Sequence, residues 1–299
     1  MMRKILITGA SGLIGARLTE MLLQKGHRVV HVGRGENRGE VPFFKWDVSG
    51  SVMQEEAFYG VDAVVHLAGA GVAEKRWTPK RKREILESRT KSTALLAQYV
   101  EGNHLVKTVV AASAIGYYGI DCGDEELTED SPPGKDFLAE VVKAWENEVD
   151  KIKNKRLVKL RIGIVLSGKG GALKEMAKPV RWGVGAALGS GKQQTSWIHI
   201  DDVCNMFIYA LENESLNGVY NVTGPSAVSN EYLTKAIART LRKSLWLPNV
   251  PTSVLKIVLG EMADMVVNGS NVSSKKIQQA GYTLEFPDLE EALKDLLGK

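Results

Sequence analysis

The segment Gly9-Ala10-Ser11-Gly12-Leu13-Ile14-Gly15 constrains this chain more than any other. It follows the apolar run Ile5-Leu6-Ile7 and precedes a stretch of helical periodicity, Ala16 to Lys25. A buried strand, a tight glycine turn and a helix N-terminus together form a site for a dinucleotide pyrophosphate. The first glycine permits the turn, the second lets the backbone approach the phosphates, and the third lets helix and strand pack closely. Free N–H groups and the helix dipole attract the anion. The spacing is G-x-x-G-x-x-G, a variant of the G-x-G-x-x-G turn. Gly9, Ser11, Gly12, Leu13, Ile14 and Gly15 are the candidate phosphate-cradling residues.

Strand-length apolar runs alternate with amphipathic segments through the first half of the 299 residues. Lys4–Thr8, Arg28–Gly33, Phe43–Trp46, Ala63–Leu67, Val106–Ala112 and Leu157–Ile162 read as strands. Leu13–Lys25, Lys80–Val100 and Asp136–Lys151 read as helices. This βαβα order, with strands apolar enough to be buried on both faces, predicts an α/β fold, a doubly wound parallel sheet of Rossmann type. Its ligand belongs outside the carboxyl ends of the strands, near the topological switch point. After about residue 165 the texture changes to glycine-rich punctuation and helices. We therefore expect a dinucleotide-binding domain over 1–165, with 198–225 returning to it. A smaller, mostly helical substrate lobe is expected over 166–197 and 226–299.

Hydrophobic residues at 44% and charged residues at 25% fit a soluble globular chain. The net charge of +4 is too small to argue for nucleic acid. Cys122 and Cys204 lie far apart without metal-ligand spacing, so neither a disulfide, zinc nor any other metal is expected. No apolar run approaches the roughly 18 to 20 residues that span a bilayer. The first strand begins within four residues, leaving no room for a targeting peptide. A cytoplasmic protein without membrane or nucleic-acid partners is the expectation.

The residue ending the second strand, about 20 positions beyond the glycines, meets the adenosine ribose in such folds. A carboxylate there selects NAD, and an arginine accommodates the extra phosphate of NADP. Val29-Val30-His31-Val32-Gly33 ends in Arg34 and the first carboxylate is Glu36, which points to NADP(H). Asp47, after the third strand, is placed either to accept from the adenine amino group or to cap its own turn. Leu67-Ala68-Gly69 supplies small residues where a cofactor crosses the sheet edge, although a tight turn alone also explains the glycine.

These motifs together resemble the extended short-chain dehydrogenase/reductase superfamily, which contains the nucleotide-sugar epimerases. The resemblance rests on Gly9–Gly15, His66-Leu67-Ala68-Gly69, Ser113 through Tyr118-Gly119, Arg161 through Leu166, and Trp197-Ile198-His199-Ile200-Asp201-Asp202. Arg76-Trp77, Glu84 through Arg89, Asp136-Phe137-Leu138 with Trp145-Glu146, and Ala280-Gly281-Tyr282 through Pro287 are similar to an atypical branch, the SDR39U1-like or YfcH-like epimerase family. The resemblance implies that Arg34, Leu67, Ala68, Glu84, Arg89 and Ile164 line an NADP site. It also allows a homodimer.

Working members of the superfamily use a tyrosine as acid/base, a lysine four residues later and a serine or threonine on the substrate oxygen. None of the eight tyrosines here is followed by lysine at the fourth position. Alignment puts Leu138 and Val142 where the pair belongs. Lys143 is one residue out, rotated by about 100° on a helix. Candidates for remaining chemistry are Ser113, which also belongs with the cofactor-binding residues, and Tyr117 and Tyr118 at the carboxyl end of the fifth strand. His199 before Asp201-Asp202 is equally a strand-end histidine followed by a helix-capping aspartate. The basic run Lys75 to Arg83 reads as a solvated helix, or as Arg76 and Trp77 closing with Arg89 over phosphates. Gly183–Gly191 with Lys192-Gln193-Gln194 resembles the segment that grips a nucleotide-sugar, and equally reads as a connector. Two functions follow. One is an NADP(H)-dependent, epimerase-like oxidoreductase acting on a small polar substrate, with a nucleotide-sugar among the candidates. The other is a catalytically silent NADP(H)-binding sensor.

Overall fold

The computed structural model describes residues 2–36, 39–123 and 125–298. Eight strands form the main sheet: β1 (Lys4–Thr8), β2 (Arg28–Gly33), β3 (Phe43–Asp47), β4 (Val52–Met53), β5 (Ala63–His66), β6 (Thr108–Ala114), β7 (Arg156–Ile162) and, beyond further short strands, β10 (Gly218–Val222). Their spatial order is β10-β7-β6-β5-β1-β2-β3-β4. All neighbours run parallel except β4, which turns back antiparallel on β3. The chain moves outward from β1 to one side through β2 and β3, then returns to the other side through β5. The switch point therefore falls between β1 and β5, registered Ile5 to Ala63 through Thr8 to His66.

Alternation along β1 shows why its residues are apolar on both faces. Ile5 and Ile7 point toward helices α1 (Leu13–Gln24) and α5 (Ile200–Glu212), packing with Leu18, Leu22, Val203 and Phe207. Leu6 points the other way, into a cluster with Leu95, Leu96 and Val100 of helix α2 (Pro79–Glu101). Each of these fully buried side chains contributes about 1.5–3 kcal/mol. Helix α3 (Phe137–Val149) packs on α2, and Asp136 caps it by accepting from the N–H groups of Leu138 and Ala139.

Beyond β7 the chain continues as β8 (Ile164–Leu166), which pairs in parallel with β9 (Trp197–His199). A third core joins Leu173 and Val180 of α4 (Gly171–Arg181), Leu233 and Ile237 of α6 (Asn230–Thr240), and Leu289 and Leu293 of a C-terminal helix, Leu289–Leu297. Between the last two lie α7 (Thr252–Leu259) and shorter helical turns. No helix among the described residues is long and apolar enough to cross a membrane.

One buried carboxylate fastens the C-terminal tail to this frame. Asp202, fully buried in α5, accepts from the Tyr282 hydroxyl at 2.8 Å and from the N–H groups of Glu285 and Phe286 at 2.8 and 2.9 Å. Removing a carboxylate that satisfies three buried donors costs about 2–4 kcal/mol. Asp202→Ala is expected to lower the urea midpoint accordingly and to expose the segment after residue 280 to limited proteolysis. An unchanged midpoint and cleavage pattern would show that the tail is held by apolar packing alone.

Candidate functional site

The glycine loop lies at the carboxyl end of β1, against the carboxyl end of β5. Gly9 has φ +72°, and a Cβ there would sit 2.7 Å from the backbone carbon of Leu67. At Gly15 a Cβ would meet the Gly9 carbonyl oxygen at 2.5 Å. Glycine is thus required at both ends of the loop, once for conformation and once for close approach. Gly12 caps α1 without any side-chain hydrogen bond, and no acidic residue occupies the first helical turn. The positive end of the helix is open to an anion, with Ser11 and Gly12 exposed and Leu13 and Ile14 half-buried.

Beneath the loop, a directed hydrogen-bond chain joins β1, β5 and α2. The Leu67 N–H donates to Thr8 Oγ1 at 3.2 Å, and the Thr8 hydroxyl lies 2.7 Å from His66 Nδ1. On the other side, His66 Nε2 lies 2.9 Å from Thr93 Oγ1, whose hydroxyl donates to the Arg89 carbonyl at 2.7 Å. Because Thr93 donates onward, it accepts from His66, so the imidazole carries its proton on Nε2 and accepts at Nδ1. Burial pushes the His66 pKa down to about 4.

Arg89 packs beside Gly69, just beyond the carboxyl end of β5. Its guanidinium packs against Gly69 and over the Trp145 ring, with Nη1 donating to the carbonyls of Ala70 and Ile85. No carboxylate pairs with it among the described residues, and burial, reinforced by Arg81, lowers its pKa to about 10. Arg34 is exposed at the end of β2 and contributes, with Lys75, to the positive field around Glu84. The Glu84 carboxylate bonds to Arg81 at 2.8 Å, which holds its pKa down. Asp47 accepts from the Ser49 N–H at 2.9 Å, forming its own turn. Ile164 opens β8, its N–H bonded to the Ser196 carbonyl.

The three candidates for proton transfer sit in a buried polar network. Ser113, 3% exposed, donates to Glu146 Oε1 at 2.5 Å. Glu146 receives both Nε and Nη2 of Arg161, at 2.8 and 2.9 Å. Arg161 Nη1 donates to the Tyr118 hydroxyl at 3.0 Å, and that hydroxyl donates to Asn221 Oδ1 at 2.7 Å. Burial raises the Tyr118 pKa, against the opposing pull of Arg161. Asn221 reaches the C-terminal tail through the Ser273 carbonyl. Tyr117 is half-buried, its ring centroid 3.4 Å from the Arg161 guanidinium carbon. Leu138 and Val142 are buried against Gly116, so an apolar surface occupies the positions aligned with the superfamily's tyrosine and lysine.

Glu146, Arg161 and Asn221 were not apparent as a unit from sequence, because residues 15 to 103 apart form the contacts; a polar residue inside each apolar run was the available signal. The histidine is also differently employed than the sequence suggested. His199 itself caps α5, its Nδ1 accepting from the Asp201 N–H, while Asp201 pairs with Arg17 and Asp202 holds the tail. In the basic run, Arg76 donates to the Ile257 carbonyl, Lys82 pairs with Glu261, and Trp77 packs edge-on against Phe137. Gln193 donates its amide to the carbonyls of Leu188 and Val266, tying the glycine-rich segment to the C-terminal part.

The sheet order, switch point and glycine turn define a protein of the short-chain dehydrogenase/reductase class. The NAD dependent epimerase/dehydratase family matches residues 5–138, and a domain of unknown function, DUF1731, matches 250–296. Over 97% of its length the chain is 36% identical to the epimerase family protein SDR39U1 homolog, chloroplastic, of Arabidopsis thaliana, covering 86% of that protein. It is 35% identical over 98% of its length to the epimerase family protein YfhF of Bacillus subtilis (strain 168), covering 97% of it. The crystal structure of human epimerase family protein SDR39U1 with NADPH superposes with a TM-score of 0.90, at 31% identity over 99% of both chains. This chain belongs to the epimerase family of SDR39U1-like proteins.

His66 supplies a measurable consequence of the switch-point packing. Between its unfolded pKa, about 6.5, and its folded value, about 4, the unfolded chain binds a proton that the folded chain excludes. Stability therefore falls as pH drops through this window, by about 2 kcal/mol from pH 7 to pH 5 for this group alone. Urea unfolding at both pH values should show this difference in the natural chain and a smaller one in His66→Gln. Equal differences in the two proteins would remove His66 as the cause.

Proposed function

We propose that this chain binds NADP(H) across the carboxyl ends of β1 and β5 and uses it as an oxidoreductase on a small polar substrate. The observation that carries the reading is the uncapped N-terminus of α1 behind Gly9–Gly15, with the Arg89 guanidinium, which no carboxylate pairs among the described residues, beside Gly69 at the end of β5. An anion answers both. In this reading the N–H groups of Leu13 and Ile14 hold the pyrophosphate, with Ser11 and Gly12 beside them and Gly9 and Gly15 giving the close approach; the Gly12 N–H closes the loop on the Gly9 carbonyl. Arg34 takes the ribose 2′-phosphate, Glu84 keeps Arg81 in place beside it, and Asp47 borders the adenine. Leu67, Ala68, Gly69, Arg89, Ser113 and Ile164 border the nicotinamide half. The NADPH bound to human SDR39U1 supports the choice of cofactor.

When bound, the cofactor supplies or accepts a hydride. The chain's own part is to hold it, to exclude water with Leu138 and Val142, and to handle the substrate proton. Ser113 and Tyr118 have hydroxyls already committed to Glu146 and Asn221, and the Tyr117 ring lies on Arg161, away from the glycine loop. Those same commitments, together with Leu138 and Val142, favour a second reading: a non-catalytic NADP(H) sensor whose occupancy signals to a partner.

Quenching of tryptophan fluorescence by NADPH and NADH tests the cofactor. NADPH is expected to bind about tenfold more tightly, with Arg34→Ala bringing the two toward parity. A preference for NADH, or one that Arg34→Ala leaves intact, overturns the assignment. Stopped-flow mixing of the NADPH-loaded protein with carbonyl compounds and nucleotide-sugars then separates the readings. Oxidation by any of them supports the enzyme, whereas none across a broad panel supports the sensor.

A further inference from the structure

On the outer side of α3, at the open edge of the sheet, lies a cavity of about 290 Å³ that shares no lining residue with the glycine loop. Three buried charges form its floor: Glu146 from α3, and Lys159 and Arg161 from alternate positions of β7. Lys143, Asn147 and Asp150, one face of α3, make one wall, while Tyr117, Pro133 and Val219 make the other.

Pairing within the cavity is almost complete, and the remainder is informative. Arg161 is held by both oxygens of Glu146. Lys159 Nζ donates to both oxygens of Asp150 at 2.7 Å and lies 3.9 Å from Glu146. That leaves Lys143, half-buried, with neither a hydrogen bond nor an ion pair among the described residues. The Asn147 amide and the Tyr117 hydroxyl are likewise without partners there. The lining charges are three positive and two negative, so one cation is uncompensated beside two hydrogen-bonding groups. A partly dehydrated ammonium beside such groups favours a charge-assisted hydrogen bond to an anionic oxygen. Val219 and Pro133 supply an apolar wall opposite.

We propose that this cavity is a second ligand site, specific for a small molecule bearing one oxyanion group, a carboxylate or a phosphate. The anion bonds to Lys143 Nζ, with the Asn147 amide and the Tyr117 hydroxyl as further donors. The ligand's remaining atoms lie against Val219 and Pro133. The paired charges of the floor fix its shape and stay paired when it fills. The site is separate from the proposed NADP(H) crevice, and its occupancy does not require that reading to hold.

The test is residue-resolved amide NMR of the full chain, titrated at constant ionic strength with inorganic phosphate in one series and acetate in another. Saturable shifts at residues 143, 147, 117 and 219 are expected with at least one anion, and the comparison shows which oxyanion the site prefers. Lys143→Gln should weaken that binding about tenfold, and Asn147→Ala by a smaller factor, with the rest of the spectrum unmoved. Shifts that rise linearly with concentration, that fall only around Gly12, or that persist unchanged in Lys143→Gln overturn the proposal. Because shifts are assigned by residue, phosphate entering the glycine-loop crevice is distinguished from phosphate entering this cavity.

Discussion

The close approach of two backbones at the switch point organises this molecule. Gly9 and Leu67 meet at a distance that no side chain can share, and Gly15 lets α1 begin almost in contact with the same turn. Directly below, the Leu67 N–H, Thr8, His66, Thr93 and the Arg89 carbonyl form one hydrogen-bond chain through two strands and a helix. Buried polar groups are stable only when each is satisfied, and here each bond determines the direction of the next. The chain ends on the Arg89 backbone, whose side chain packs beside Gly69. Crevice and core are therefore specified by the same contacts.

How much of this was legible from the chain depends on the range of the interaction. The strands β1, β2, β5 and β7, and helices α1, α2 and α3, declare themselves because burial on one or two faces imposes a local period. The glycine loop does so because its constraint lies within seven residues. The two-residue strand β4 escaped notice, being too short for any period. His199 was legible as a strand-end residue, but its use as the cap of α5 depends on ring orientation, which spacing does not encode. The Ser113–Glu146–Arg161–Tyr118–Asn221 network was not legible, since its members come from β6, α3, β7, the turn after β6 and β10. Only the three-dimensional order of those elements brings them together.

That network bears on the aligned positions of Leu138 and Val142. A carboxylate and a guanidinium in bidentate contact, both nearly inaccessible, are costly to desolvate and very costly to separate. They hold β6, α3 and β7 in one relative position, and through Tyr118 and Asn221 they reach the C-terminal tail. Ser113 is thereby a member of a rigid polar core, its hydroxyl proton directed at Glu146 and away from the crevice.

Leu138 and Val142 are not a dormant acid–base pair awaiting two substitutions. Val142 is 4% exposed and packs against Gly116, in a turn whose Tyr117 and Tyr118 lie against Arg161. A lysine placed there must bury an ammonium one helical turn from Glu146, whose carboxylate is already committed to Arg161 and Ser113, and burial lowers the pKa of such an amine. The superfamily's lysine works because its charge lowers the tyrosine pKa while it touches the cofactor ribose; a neutral one does not lower that pKa. Restoring that chemistry requires rebuilding the packing between α3 and the turn after β6, which is the same packing that seats Glu146 on Arg161. One face of α3 thus serves two contacts, Leu138 and Val142 on Gly116 and, a turn further on, Glu146 on Arg161.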